Sequence, residues 1–153
     1  MRLALFLLLA CALTSPPIAA QALKVVTTTT ELRSLVEAVG STRLSVSHLI
    51  PSNVNAESYQ AKPQDVARVK DADLIVRVGL DYDLWLDRLL ERAQPELRRR
   101  GSRHVDASIG ITLLDVRGTR VGPADGHAHG AGNPHYWLDP RNAEIITASI
   151  AAA

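Results

Sequence analysis

The sequence predicts an α/β fold, a parallel-sheet lobe with flanking helices. Strand patterns alternate with helix patterns along the chain, as βαβ units require. Their connections are short, which favours crossover pairing within one sheet. The segment Asp73-Leu74-Ile75-Val76-Arg77-Val78-Gly79 is almost continuously apolar, the composition of a strand covered on both faces. At 153 residues the chain is long enough for one domain with a real core.

Residues 1–22 stand outside this pattern. Met1-Arg2 is a short positive start, Leu3 to Leu13 is an apolar run too short to span a bilayer, and Ala20-Gln21-Ala22 is an A-x-A cleavage site. The spacing predicts a signal peptide and an exported, periplasmic mature chain beginning at Leu23. The single cysteine, Cys11, lies inside this segment, so Leu8-Leu9-Ala10-Cys11 offers lipoprotein anchoring as the alternative. A mature chain from Leu23 has no disulfide and no thiolate ligand.

Leu23–Thr28 is a β-branched strand. Thr29-Thr30-Glu31 starts a helix, with a threonine N-cap before Leu32, Leu35, Val36 and Val39, and Gly40 closes it as a C′ glycine. Leu44 to Ile50 alternates as a strand does. Pro51 to Lys62 is a polar loop, and Pro63 opens a helix running through Val66 and Val69 to Lys70. Beyond the apolar strand, Leu84 to Arg92 forms a helix with Leu86, Leu89 and Leu90 on one side. Arg103–Asp106 and Ile111–Val116 are weaker strand candidates, and residues 117–132 are loop. From Arg141 onward Ile145, Ile146 and Ile150 mark a last helix, capped by Asp139. It reaches Ala151-Ala152-Ala153 without C-cap, Gly or Pro, the pattern of a helix cut short.

The net charge of +1 gives no electrostatic case for nucleic acid or an anionic membrane surface. Arg98-Arg99-Arg100 is expected at a solvated helix C-terminus, and Asp71, Asp73, Asp81 and Asp83 as capping and solvent-facing charge. His48 and His104 fall in strand patterns and are expected to pack or face solvent. Tyr59, Tyr82, Trp85 and Trp137 are expected in the core or a cleft wall.

Chemistry concentrates near the end of the chain. Three of the five histidines, His127, His129 and His135, fall within nine residues of a Gly-rich loop. Neutral imidazole is the commonest ligand for borderline metals, and the Pro134 and Pro140 flanks fix His135 instead of leaving it free in solvent. Ligands of open parallel sheets bind beyond the carboxyl ends of the strands. The loops after Thr28, from Pro51 to Lys62, and around the histidines are all placed at that edge.

Four segments in order carry a family resemblance: Val25-Val26-Thr27-Thr28-Thr29; Ser58-Tyr59-Gln60-Ala61-Lys62-Pro63-Gln64-Asp65; Ala72-Asp73-Leu74-Ile75-Val76 into Gly79-Leu80 and Leu84-Trp85-Leu86; and Pro134-His135-Tyr136-Trp137-Leu138-Asp139-Pro140. The last is specific and the others support it. Together the chain resembles the N-terminal lobe of the metal-binding solute-binding proteins of ABC transporters. The resemblance implies one lobe of a two-lobe receptor whose lobes are joined by a long helix, with the metal held between them by ligands from both. Residues 23–140 would then be the N-terminal lobe and 141–153 the start of the interlobe helix, the second lobe being absent from this sequence. It also implies delivery of a divalent ion to a membrane permease, with zinc first; the expected state is a monomer.

The family pattern implies His135 as a metal ligand and a histidine two residues before the loop aromatic. Here that position is Glu57. A carboxylate ligates Zn²⁺ but is harder than imidazole, which pulls preference toward Mn²⁺ or Fe²⁺. His127 and His129 resemble, in miniature, the His-rich capture loop of zinc receptors. Other classes are an exported metallohydrolase and a surface adhesin. The sequence has no H-E-x-x-H and no G-x-S-x-G, so no catalysis is assigned.

Overall fold

A computed structural model of the chain describes residues 21–56, 58–116 and 132–153. Residues 1–20 of the expected signal peptide lie outside the described residues, as do Glu57, His127 and His129. The described strands are β1 (Leu23–Thr27), β2 (Leu44–His48), β3 (Leu74–Arg77) and β4 (His104–Asp106); the helices are α1 (Thr30–Gly40), α2 (Pro63–Lys70), α3 (Trp85–Leu90) and α4 (Pro140–Ala152). The strands form one sheet in the order β2-β1-β3-β4, and every pairing is parallel. Leu23 pairs with Leu44, Val26 with Ile75, and Ile75 with His104. The α/β expectation holds.

Side chains alternate across a strand, so neighbouring residues feed opposite layers. Val25 and Val76 meet Leu32 and Val36 of α1 and Ile146 and Ile150 of α4 on one face. Val26 and Ile75 meet Val69 of α2 and Leu86 and Leu90 of α3 on the other. Leu32, Val36, Val76, Leu86 and Ile146 have no exposed surface at all. Full burial of each such side chain contributes roughly 1.5–3 kcal/mol.

The helix ends follow their local chemistry. Thr29 is extended and its side chain accepts from the Leu32 N–H at 3.4 Å, as an N-cap should. Asp139 caps α4 by accepting from the Arg141 N–H at 2.9 Å, and the helix starts at Pro140, one residue before its expected start. Gly40 differs from its expected role. It is the last residue of α1 with ordinary negative φ, and the left-handed turn falls on Ser41 at φ 49°. Space is what requires glycine at residue 40: an added Cβ would collide with the Leu44 side chain.

Three further expectations are corrected. Ile111–Val116 forms no strand. Ile111 is buried, but Leu114 and Val116 are 70% and 61% exposed, and the left-handed Asp115 (φ 55°) breaks the extended run. Asp83 does not face solvent; it is fully buried against Arg77. Arg98–Arg100 follow a 3-10 turn at Pro95–Leu97 rather than an α-helix, although Arg98 donates to the Ala93 carbonyl near the end of α3.

Candidate metal cleft

Because all four strands run the same way, the segments leaving β1, β2 and β3 emerge at one edge of the sheet. There they enclose a cleft of about 510 Å³. Thr29, Thr30 and Glu31 enter it from the start of α1, Ile50 to Ser52 and Val54 to Ala56 from the loop after β2, Tyr82 from the turn after β3, and His135 and Trp137 from the segment before α4. Among its described lining residues there is no lysine and no arginine.

His135 is the expected ligand that the structure places, and it stands exposed in this cleft. Its backbone is fixed from both sides. The Tyr136 hydroxyl donates to the Val78 carbonyl at 2.6 Å, and the Asn142 amide donates to the Tyr136 carbonyl at 2.9 Å. Burial, and then the charges of Asp106 and Asp83, raise the Tyr136 phenol well above its ordinary pKa, so it remains a donor. The ring is fixed as well. Asn133 Oδ1 accepts the His135 backbone N–H at 3.0 Å and lies 3.1 Å from His135 Nδ1. A backbone N–H only donates, so this Asn133 atom is the carbonyl oxygen. Facing an acceptor, Nδ1 carries the ring proton, and Nε2 keeps the lone pair that a metal needs. Tyr82 and Trp137 pack on the imidazole with ring centroids at 5.9 and 5.3 Å.

The Tyr82 wall rests on a strained turn. Gly79, Leu80 and Asp81 are all left-handed, at φ 78°, 51° and 65°. Such residues persist only where their surroundings hold them. The Asp83 carboxylate does so by accepting from the Val78 N–H at 2.8 Å and the Gly79 N–H at 3.2 Å. Arg77 donates to that carboxylate at 2.9 Å and also binds Asp87. Burial alone would lower the Arg77 pKa, but Asp83 and Asp87 outweigh it and hold the guanidinium above its usual value.

The loop after β2 is pinned at its far end. The Tyr59 hydroxyl donates to Asp65 at 2.6 Å, and Tyr59 packs edge-on against Trp85 at 4.8 Å. Burial and Asp65 push the Tyr59 phenol up to about 12. The same Asp65 oxygen accepts the Lys62 N–H at 2.8 Å and closes the start of α2. Asn55 and Ala56, the residues before Glu57, line the cleft. Glu57, His127 and His129 themselves lie outside the described residues. Among the described residues, no group of three or more His, Cys, Asp or Glu side chains is placed to hold an ion. His48 and His104 lie away from the cleft lining, as expected: His48 contacts Arg33, and His104 Nδ1 lies 2.8 Å from the Leu97 carbonyl.

Sequence reasoning gave no site role to two residues: Asn133, which contacts His135, and Glu31, which lines the cleft. Asn133 is two residues before a histidine, a spacing without a known signature. Glu31 was read only as part of a helix start.

Residues 25–153 match the family described as ZnuA, zinc-uptake complex component A, periplasmic. The iron-binding protein YfeA of Yersinia pestis is 29% identical over 91% of this chain and 40% of its own length. The manganese ABC transporter substrate-binding lipoprotein PsaA of Streptococcus pneumoniae is 27% identical over 96% of this chain and 46% of its own. Among solved structures, a zinc-bound ZnuA deletion mutant superposes with a TM-score of 0.69 at 25% identity, over 85% of this chain and 45% of that one. The chain therefore belongs to the ZnuA family of periplasmic metal-binding components of ABC transporters. It spans less than half the length of these relatives.

Proposed function

We propose that this chain is the N-terminal lobe of an extracytoplasmic receptor that captures a divalent transition-metal ion and hands it to an ABC permease. Zinc is the leading cargo. Manganese and iron are the alternatives, favoured by a carboxylate at Glu57 where the family pattern has a histidine. The observation that carries the reading is the Asn133-oriented imidazole of His135 in a cleft whose described lining has no competing cation. Glu57 is the second proposed ligand, next in sequence to Asn55 and Ala56, which line the cleft. His127 and His129 form a proposed capture pair. The remaining coordination would come from a second lobe, in keeping with relatives about twice as long. The proposed role is binding and transfer, with no catalytic step.

The test is equilibrium dialysis of the chain against Zn²⁺, Mn²⁺, Fe²⁺, Mg²⁺ and Ca²⁺, with metal content read by mass spectrometry. Saturable retention of a transition metal, with Mg²⁺ and Ca²⁺ excluded, supports the proposal. Retention no greater than in a metal-free buffer control sinks it.

A further inference from the structure

Glu31 lines the same cleft as His135 but comes from a different element, the first turn of α1. Its carboxylate makes no hydrogen bond or ion pair with any described residue. Other acids near the sheet are engaged: Asp65 by Tyr59 and Lys62, Asp83 by Arg77, and Glu37 by Arg33. With no lysine or arginine among the described lining residues, nothing there neutralises it. An acid in a first helical turn also gains a few tenths of a kcal/mol from the helix dipole. That gain is available at any exposed first-turn position and does not account for a carboxylate that lines the same cleft as a histidine.

We infer that Glu31 is an additional oxygen donor to the ion held by His135, and that it biases the cleft toward harder ions. This rests on the metal-receptor reading. Thr29 caps the helix and holds its first turn in place, so the carboxylate is carried on a rigid element. A hard carboxylate beside one imidazole favours Mn²⁺ and Fe²⁺ relative to an all-histidine set.

The experiment is titration of Mn²⁺ into the full chain, following loss of the free-ion signal by electron paramagnetic resonance, with Zn²⁺ competition. Glu31→Gln keeps the side chain's size and removes its charge. Glu37→Gln, on the same helix but paired with Arg33, is the control. Glu31→Gln is expected to weaken Mn²⁺ binding by about tenfold or more, to weaken Zn²⁺ less, and to leave the urea midpoint of the metal-free chain near its parent value. Glu37→Gln should leave both ions unaffected. Mn²⁺ affinity unchanged in Glu31→Gln while His135→Ala weakens it overturns the role of Glu31 and leaves the receptor reading standing. Affinity unchanged in both variants, or no Mn²⁺ and no Zn²⁺ binding by the parent, overturns both.

Discussion

Asn133 Oδ1 lies 3.1 Å from His135 Nδ1 and also holds the His135 backbone N–H at 3.0 Å, so one side chain sets both the position and the tautomer of the cleft histidine. Partners that orient a metal-ligating histidine typically account for 10–100-fold in metal affinity. Asn133→Leu should therefore weaken Zn²⁺ binding by about one to two orders of magnitude. Asn133→Asp, which retains the acceptor, should bind at least as tightly as the parent. Calorimetry on both variants checks this, and equal affinities for Asn133→Leu and the parent would remove Asn133 from the site.

The buried Arg77–Asp83 pair should dominate the stability of the turn that carries Tyr82. Removing one partner of a buried ion pair strands the other charge and typically costs about 3–5 kcal/mol. Asp83→Ala also frees the Val78 and Gly79 N–H groups at a left-handed turn. The stability should fall by an amount in that range, whereas Asp81→Asn, at an exposed left-handed position that asparagine tolerates, should move the urea midpoint little. Similar midpoints for the two variants would mean that the turn holds without the pair.

How much of this was legible beforehand depends on the distance between partners in sequence. Helix starts at Thr29, Pro63 and Asp139 were legible because capping chemistry is local. The β3 strand was legible because its burial on both faces leaves an unbroken apolar run. Asp83 was not, since its partner Arg77 appears only as a charge inside that run; a lone arginine in a buried strand is itself the signal that an acid must meet it. Ile111–Val116 was only a weak strand candidate; among the described residues no strand pairs with the outer side of β4, and the left-handed Asp115 turns the chain away. His135 was found through its motif. Glu31 was missed because cleft membership depends on how separate segments meet; Asn133 is a local partner, two residues from His135, whose role shows only in the geometry.

His104 should give the fold a measurable acid sensitivity. Desolvation is the main cause of its lowered pKa; Arg77 adds to it, and the Leu97 carbonyl, Asp106 and Asp83 oppose it. An unfolded histidine takes up its proton near pH 6.5, the folded one at lower pH. Between those values the unfolded chain binds more protons, so stability is complete above pH 6.5 and is lost as pH falls toward the folded value. His104→Gln keeps a donor for the Leu97 carbonyl without the titration. Relative to this variant, the parent should lose stability on acidification in urea unfolding at a series of pH values. Parallel curves would show that His104 does not titrate with folding.

The most direct measurement is Zn²⁺ titration by calorimetry on the chain, on His135→Ala, and on the double variant His127→Ala with His129→Ala. His135→Ala should abolish most of the binding, because it removes the one oriented imidazole among the described cleft residues. The double variant should lose less, since His127 and His129 are proposed as a capture pair and His135 as the principal ligand. Tight zinc binding that survives His135→Ala would contradict the account and place the site elsewhere on the chain.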